Sequence, residues 1–192
     1  MAIKLLIIGG VAGGATAAAR ARRLDERTEI ILFERGEHIS FANCGLPYYI
    51  GEVIKNRNDL LVTTAKKLGE RYNIDVRIFT EVVSIDPIKK QVQAKNLKTG
   101  EIYNESYDKI ILAPGAEPVR PSLDGVDLGT IFNLRNIPDS DRIKAYVDEK
   151  KPGLAIVVGG GYIGLEMAEN LVDRGVKTII LEMLDQVMAP LD

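Results

Sequence analysis

The chain is poor in the residues that most often build metal centres and hydrolytic sites. Its 192 residues include one cysteine, Cys44, one histidine, His38, and no tryptophan. A single cysteine can form neither an internal disulfide nor a multi-cysteine metal site. A single histidine leaves almost no material for a zinc site or a Ser-His-Asp triad. These scarcities exclude several enzyme classes, and we expect no metal in the protein.

The chain also lacks a strong net charge and long apolar runs. A net charge of -2 gives no general attraction to nucleic acid or to acidic membranes. No apolar run approaches the roughly 20 residues that span a bilayer. The N-terminal run Ile3–Ile8 lacks the basic region and the small-residue cleavage site of a signal peptide. We therefore expect a cytoplasmic protein without a membrane or nucleic-acid partner.

Two stretches share the order of a buried strand, a glycine-rich turn, a helix and a second strand. The first covers residues 4–8, 9–14, 14–27 and 29–34, and the second covers 154–158, 159–164, 165–174 and 177–182. The strands are largely apolar, as parallel strands covered on both faces are. Each stretch is therefore predicted to be a βαβ unit of the Rossmann type.

The residues around these units predict the remaining elements. They are a short helix from Gly45, a helix over 64–73, an antiparallel meander over 76–106, a buried strand over 109–113, a linker over 118–127, and a helix over 137–150 with Asp139 or Ser140 near its cap. The predicted fold class is α/β, with two Rossmann-like dinucleotide-binding segments and a small antiparallel β meander. We predict one domain over residues 1–117 and an incomplete second domain over 118–192.

The first candidate nucleotide site is the turn Gly9-Gly10-Val11-Ala12-Gly13-Gly14. Such a turn points backbone N–H groups and a helix N-terminus at a pyrophosphate. The fit to G-x-G-x-x-G is imperfect, because Val11 occupies the position of the middle glycine. Glu34 ends the next strand about 20 residues further on, where a carboxylate accepts hydrogen bonds from ribose hydroxyls. The alternative is a glycine turn that serves only the packing of the helix on the sheet.

The second candidate site, Gly159-Gly160-Gly161-Tyr162-Ile163-Gly164, matches the pattern in full. Glu182 closes the following strand in the ribose-binding position. An acid there favours a free 2′-hydroxyl over a 2′-phosphate, so we expect NADH to be preferred, with NADPH possible. The same packing-only alternative applies to this turn.

Cys44 follows the first βαβ unit, in a loop that opens a short helix. A lone cysteine is often only a small buried hydrophobe, but Cys44 is flanked by Asn43 and Gly45, and a helix N-terminus stabilises a thiolate. A flavin in the first site could take a hydride from a nicotinamide in the second and then act on a bond to the Cys44 sulfur. Without a second cysteine, this sulfur would cycle through a mixed disulfide, a persulfide or a sulfenic acid.

These motifs resemble those of the flavoprotein disulfide reductases, and within them the single-cysteine branch of coenzyme A disulfide reductases, NADH oxidases and NADH peroxidases. The resemblance runs over the whole chain. Its most specific piece is Ser40-Phe41-Ala42-Asn43-Cys44-Gly45-Leu46-Pro47-Tyr48. The first glycine turn, Val11 included, is similar to the coenzyme A disulfide reductase form. Residues 111–116 look like the family segment where the FAD domain hands over to the NAD domain.

The resemblance implies FAD in the first site, NAD(P)H in the second, and Cys44 as the redox-active nucleophile. It adds four residues to the FAD site, namely Arg35, Asn43, Ala113 and Gly115. For coenzyme A it implies contacts from Thr16, Arg20, Arg23, Ser40 and Asn43. The two arginines lie three residues apart on one helix face and could grip phosphates, although such a cluster is also common on solvated surfaces.

Three functions are compatible with these features. The leading one is an FAD- and NADH-dependent reductase of coenzyme A disulfide or a related persulfide. The second is an NADH oxidase or peroxidase that cycles Cys44 through a sulfenic acid, and the third is a non-catalytic nucleotide-binding redox sensor. Arg20 and Arg23 favour coenzyme A, because a reductase of oxygen needs no phosphate contacts. Family members continue through further FAD, NAD and dimerisation segments, so we expect this sequence to be part of a longer, homodimeric protein.

Overall fold

A computed structural model describes residues 2–189 of the chain. In chain order the elements are β1 (Lys4–Ile8), α1 (Ala12–Leu24), β2 (Glu29–Phe33), α2 (Leu46–Ile50), α3 (Ala65–Tyr72), β3 (Asp75–Arg77), β4 (Thr80–Asp86), β5 (Gln91–Asn96), β6 (Ile102–Ser106), β7 (Lys109–Leu112), α4 (Ile137–Lys150), β8 (Leu154–Val158), α5 (Tyr162–Asp173) and β9 (Lys177–Leu181). Two compact units result. The first contains the residues up to Phe41 and Leu61–Ala116, and the second contains Ala42–Leu60 and the residues from Glu117 onward.

The first unit is built around a parallel sheet with the strand order β3-β2-β1-β7. Helices α1 and α3 cover one face of this sheet. The other face packs on the antiparallel sheet β4-β5-β6 through Leu6, Ile31 and Phe33. Because both faces are covered, the central strands carry apolar residues at successive positions. The α/β class with its parallel sheet and small antiparallel meander is confirmed.

One strand differs from the prediction. The sequence pattern places the stretch from Val76 in the meander, but Asp75–Arg77 forms β3 and extends the parallel sheet. Val76 is paired with Leu32 of β2, so its side chain is drawn into the core beside α1. The meander proper consists of β4, β5 and β6.

Both glycine-turn helices begin earlier than predicted. α1 begins at Ala12 instead of Gly14, and α5 begins at Tyr162 instead of Leu165. In each case the last residues of the glycine turn already have helical geometry, so the turn and the helix overlap. The backbone N–H groups of the turn are therefore those of a helix N-terminus.

Helix α4 begins after Asn136. The Asn136 side chain accepts a hydrogen bond from the Asp139 amide at 2.9 Å, and Asp139 accepts one from the Asn136 amide at 3.2 Å. This is a capping box, with the acid inside the helix. The prediction that Asp139 or Ser140 lies near the cap is confirmed for Asp139, and the capping residue itself is Asn136.

The second unit contains the parallel pair β8 and β9. Helices α2, α4 and α5 share a buried apolar cluster, and Ala155 and Val157 of β8 pack against it. On the opposite face of the pair, Leu154, Ile156 and Leu181 remain 50%, 56% and 52% exposed. The pair is thus covered on one face within the described residues.

Residues 42–60 are here called the thiol segment. Its two ends lie side by side, because the Ala42 amide donates to the Leu60 carbonyl at 2.8 Å. The segment groups with the second unit, because Ile50 is fully buried in the cluster formed by α4 and α5. The units thus divide the chain differently from a single cut after residue 117. The assignment of residues 1–117 to FAD and 118–192 to the nicotinamide nucleotide remains a prediction. Among residues 2–189, no helix is long and apolar enough to cross a membrane.

Candidate dinucleotide sites and reactive thiol

The first glycine turn is fixed by two close backbone approaches. Gly9 has φ +98°, and a Cβ on it would lie 1.9 Å from the Ala113 carbonyl oxygen. A Cβ on Gly14 would lie 1.7 Å from the Gly9 carbonyl oxygen. Neither position accepts a side chain without backbone movement. The glycines therefore hold α1 against the ends of β1 and β7, and Ala113 lies beside the turn.

Glu34 fixes the same turn from the end of β2. One oxygen of its carboxylate accepts from the Gly10 amide at 2.8 Å, and the other accepts from the Gly36 amide at 2.7 Å. We expected this carboxylate to meet ribose hydroxyls, and sequence reasoning missed its bond to the turn. The regular spacing between the turn and the acid was the available signal. Arg35 follows it as an exposed residue.

The second glycine turn repeats this arrangement. Gly159 has φ +104°, and a Cβ on Gly164 would lie 1.9 Å from the Gly159 carbonyl oxygen. Glu182 accepts from the Gly160 amide at 2.6 Å, as Glu34 does from Gly10. Its other oxygen accepts from the amides of the two following residues at 2.7 and 3.0 Å. These three amides hold the pKa of the Glu182 carboxyl below its ordinary value, so the group is ionised at neutral pH.

The helices that follow the two turns begin without a side-chain cap. Within the described residues, Val11 before α1 and Gly161 before α5 provide no capping hydrogen bond, and neither helix has an acid in its first turn. In contrast, Thr64 caps α3 and Asn136 caps α4. Uncapped N–H groups at a helix start are suited to bind a phosphate. Both helix starts therefore leave N–H groups that a phosphate could accept from.

The residues at these helix starts are open to solvent. Ala12 and Gly13 are exposed in the first turn, and Tyr162 and Ile163 are 62% and 59% exposed in the second. A Cβ on Gly161, which has φ -80°, would meet no atom of residues 2–189 within 4 Å. The structure thus gives Gly161 no packing reason to be glycine, which agrees with close approach of a ligand.

Cys44 lies in the 3-10 turn Asn43–Gly45, directly before α2, and is exposed. One helical turn later, Tyr48 lies beside Glu166 of α5. The negative charge of Glu166, then burial, raises the pKa of the Tyr48 hydroxyl above its ordinary value. Sequence reasoning missed this tyrosine–carboxylate pair, although Glu166 stands just after the second glycine turn. Because Cys44 is exposed, its thiol is accessible to an external molecule.

A groove of about 800 Å³ lies between α1 and α3 in the first unit. It brings together Thr16, Arg23 and Ser40, three of the residues predicted to bind substrate. Ser40 has the left-handed φ of 47°, which is uncommon for a residue with a side chain. Arg20 does not line the groove, and Asn43 belongs to the second unit.

The opposite wall of the groove carries two cations that sequence reasoning missed. Lys67 and Arg71 lie four residues apart on α3, on the same helix face. That spacing was the available signal. Arg22, in contrast, is occupied with structure. Its guanidinium donates to the carbonyl oxygens of Tyr72 at 2.8 Å and Asn73 at 2.7 Å, at the end of α3.

The fold and these two sites define a dinucleotide-binding oxidoreductase architecture with one exposed thiol. The chain belongs to the pyridine nucleotide-disulphide oxidoreductase family, whose family profile matches residues 3–192. Enzymes of this family depend on FAD and NAD(P)H, the two cofactors predicted from the sequence.

Individual relatives lie in the predicted branch. The chain is 41% identical over 189 residues to a coenzyme A disulfide reductase of Staphylococcus aureus, covering 98% of this chain and 42% of the relative. It superposes on the crystal structure of reduced Bacillus anthracis CoADR-RHD with a TM-score of 0.96 and 55% identity, covering 100% of this chain and 35% of that one. An NAD-dependent persulfide reductase from A. fulgidus superposes with a TM-score of 0.92 and 32% identity, covering 97% of this chain and 35% of that one. The chain therefore spans less than half the length of these relatives.

Proposed function

We propose that the protein to which this chain belongs reduces coenzyme A disulfide, or a related persulfide, with electrons from NADH. The observation that carries the proposal is the repeat of one cofactor-binding geometry at two glycine turns, together with a single exposed thiol. The similarity to a coenzyme A disulfide reductase and to a persulfide reductase supports the same substrate class.

The first turn would hold FAD and the second NADH. The pyrophosphate of each nucleotide would meet the uncapped N–H groups of α1 or α5, and Glu34 or Glu182 would meet a ribose. Both carboxylates already accept an amide of their turn, so the ribose contact would use the remaining acceptor sites of each oxygen. Arg35, Asn43, Ala113 and Gly115 complete the proposed FAD site. When bound, FAD takes two electrons from NADH and passes them on to a sulfur–sulfur bond.

Cys44 would carry the substrate chemistry. Its thiolate attacks one sulfur of the disulfide, the sulfur–sulfur bond breaks, and the first coenzyme A leaves as a thiolate that takes up a proton. Cys44 then holds the second coenzyme A in a mixed disulfide. Two electrons from NADH cleave this bond, which returns the Cys44 thiolate and releases the second thiol after protonation. The sum is one disulfide, one NADH and one proton converted to two thiols and NAD.

The groove between α1 and α3 would bind the nucleotide end of coenzyme A. Arg23, Lys67 and Arg71 offer three cations to its phosphates, and the hydroxyls of Thr16 and Ser40 offer hydrogen bonds. Within the described residues, none of these three cations forms an ion pair, and Arg71 lies over the Tyr72 ring at 5.4 Å. The position of Arg20 outside this lining gives it a smaller expected role than Arg23.

The test measures NADH oxidation by the purified protein with coenzyme A disulfide, oxygen or hydrogen peroxide as sole acceptor. We expect rapid turnover with the disulfide and a flavin absorption spectrum. Equal rates with oxygen or peroxide would favour the sulfenic acid reaction and overturn the disulfide assignment. The absence of both flavin and turnover would favour the third candidate function, a non-catalytic nucleotide-binding redox sensor.

The role of the thiol is tested with Cys44→Ser, which should retain both nucleotides and lose disulfide turnover by at least about 1000-fold. Retained turnover in this variant would contradict the role of Cys44. We also propose a homodimer, as the resemblance implies, located in the cytoplasm, as expected from the N-terminal sequence. Sedimentation analysis of the purified protein distinguishes a dimer from a monomer.

A further inference from the structure

The thiol segment is held on α4 and α5 by charged side chains. Arg57 Nε donates to both carboxylate oxygens of Asp141, at 3.0 and 2.8 Å. Lys144 Nζ donates to Glu52 at 2.9 Å. Arg174, directly after α5, donates to the Ile50 carbonyl oxygen at 2.8 Å, at the end of α2.

Two of these cations are shielded from solvent. The side chains of Lys144 and Arg174 are only 15% and 17% exposed, and both donate to Asp148. Their carboxylate partners Glu52 and Asp148 are 54% and 39% exposed, so each ion pair by itself contributes little. The two cations are nevertheless held in place, because each contacts more than one acceptor. The hydrogen bond from Lys144 holds the pKa of the Glu52 carboxyl below its ordinary value, so the pair is charged at neutral pH.

A close steric contact adds to the charged ones. A Cβ on Gly51 would lie 1.9 Å from the Asn170 side-chain oxygen. Asn170 is 1% exposed, and its amide nitrogen donates to the Glu166 carbonyl. The end of α2 therefore lies directly on α5, and only glycine fits there.

Helix α2 has five residues, which is too short to keep its orientation without partners. Cys44 precedes it by two residues, and the amide of Leu46, the first residue of α2, donates to the Asn43 carbonyl. The 3-10 turn that carries the thiol is therefore hydrogen-bonded to this helix. We propose that Asp141, Lys144 and Arg174 are positioning residues for Cys44. Arg174 and Lys144 hold the end of α2, and Asp141 holds the later part of the same segment through Arg57. Together they fix the direction in which the thiol is presented. The value of that direction for turnover rests on the proposed function, whereas the positioning itself is measurable without it.

The first measurement is amide hydrogen exchange of the thiol segment in Asp141→Asn and Lys144→Gln. Exchange at Ala42, Gly45 and Gly51 should rise about fivefold or more, while exchange in β1 stays unchanged. The matched control is Lys89→Gln, because the pair Lys89–Asp86 is exposed and lies in the turn between β4 and β5. Unchanged exchange in the thiol segment, or an equal rise in β1, would overturn the proposal.

The second measurement separates positioning from general stability in the purified protein. Asp141→Asn should lower kcat for coenzyme A disulfide about fivefold and change KM less, because the groove proposed for the nucleotide end lies on other elements. The charge swap Arg57→Glu with Asp141→Arg should restore both kcat and slow exchange. No rescue by the swap, or a rise in KM alone, would contradict positioning. A purified protein without disulfide turnover would refute the proposed function, and the exchange measurement would still decide this inference.

Discussion

Glu182 accepts a hydrogen bond from the Gly160 amide at 2.6 Å, and the same carboxylate is proposed to hold the ribose of NADH. We predict that Glu182→Gln raises KM for NADH about tenfold, because the ionised acceptor is lost from both the turn and the ribose. KM for NADPH should change less, so the ratio of the two KM values, and with it the preference for NADH, should become smaller.

The matched control is Glu34→Gln, which removes the equivalent acceptor from the first turn. It should leave KM for NADH unchanged and weaken FAD retention, measured as flavin absorbance per protein after gel filtration. A rise in KM for NADH in the control would refute the assignment of the second turn to the nicotinamide nucleotide.

Two glycines of the second turn should respond differently to alanine. Gly164→Ala places a methyl group 1.9 Å from the Gly159 carbonyl oxygen, so we predict a loss of about 2 kcal/mol or more in the free energy of unfolding. Gly161→Ala meets no atom of the described residues within 4 Å and should keep the wild-type stability. It should nevertheless bind NADH at least about tenfold more weakly, since the methyl group would face the ligand. Urea unfolding and NADH titration give both numbers, and unchanged affinity of Gly161→Ala would count against close approach of the nucleotide.

The groove residues predict a ranking of substrate effects. Arg23→Gln, Lys67→Gln and Arg71→Gln should each raise KM for coenzyme A disulfide by about five- to tenfold, because each removes a cation that faces the phosphates. Arg20→Gln, outside the groove lining, should raise it less. With pantethine, a disulfide without the nucleotide, all four variants should resemble the wild type. Equal effects on both substrates would show that these cations do not bind phosphate.

Glu105 predicts a pH dependence of stability in the first unit. Its carboxylate accepts from Lys4 of β1 and Arg77 of β3, each at 2.6 Å, and is only 15% exposed. Burial alone would raise the pKa of this carboxyl, but the hydrogen bonds from Lys4 and Arg77 outweigh it and lower the pKa below the ordinary 4.5. The stabilisation is therefore fully present above that pH and is lost as the pH falls through the lowered value.

Glu105→Gln should lower the free energy of unfolding by about 1–3 kcal/mol at pH 7, since it leaves two partly buried cations with one carboxylate fewer. Lys4 keeps Glu29 and Arg77 keeps Asp75, which limits the loss. The difference between variant and wild type should shrink as the pH falls below 4.5 and through the lowered pKa, measured by urea unfolding over a series of acidic pH values. A difference that stays constant down to the acid unfolding of the protein would show that the charge contributes nothing.

The parts of the fold that followed from the sequence are those with strong local signals. The apolar strands before Gly9 and Gly159, and the acids at Glu34 and Glu182, have fixed spacings that only one supersecondary unit satisfies. The strand at Val76 escapes prediction because a three-residue strand has too few positions for a period to show. The sequence places Asp139 near the cap of α4 but does not single out Asn136, because Asp139, three residues later, is itself a good capping residue.

The residues of the candidate site likewise fall into those that the sequence reveals and those that only the folded structure reveals. Cys44 is conspicuous in the sequence because it is single, and Thr16, Arg23 and Ser40 follow from the family resemblance. Lys67, Arg71 and the pair of Tyr48 with Glu166 depend on how distant segments fold together. The difference between Arg22 and Arg23 is of this kind, because only the packing of α1 on the end of α3 decides which guanidinium is occupied.

The closed thiol segment also has a consequence for how such proteins diverge. Since Ala42 and Leu60 meet, residues 42–60 could be exchanged between relatives without changing the path of the surrounding chain. Their charges are matched to α4 and α5, so a transplanted segment would function only with its own Asp141, Lys144 and Arg174 equivalents. We therefore expect relatives to inherit the thiol segment and the α4–α5 region together. A chimera whose junction falls between residues 60 and 137 would separate the two and should be the least tolerated.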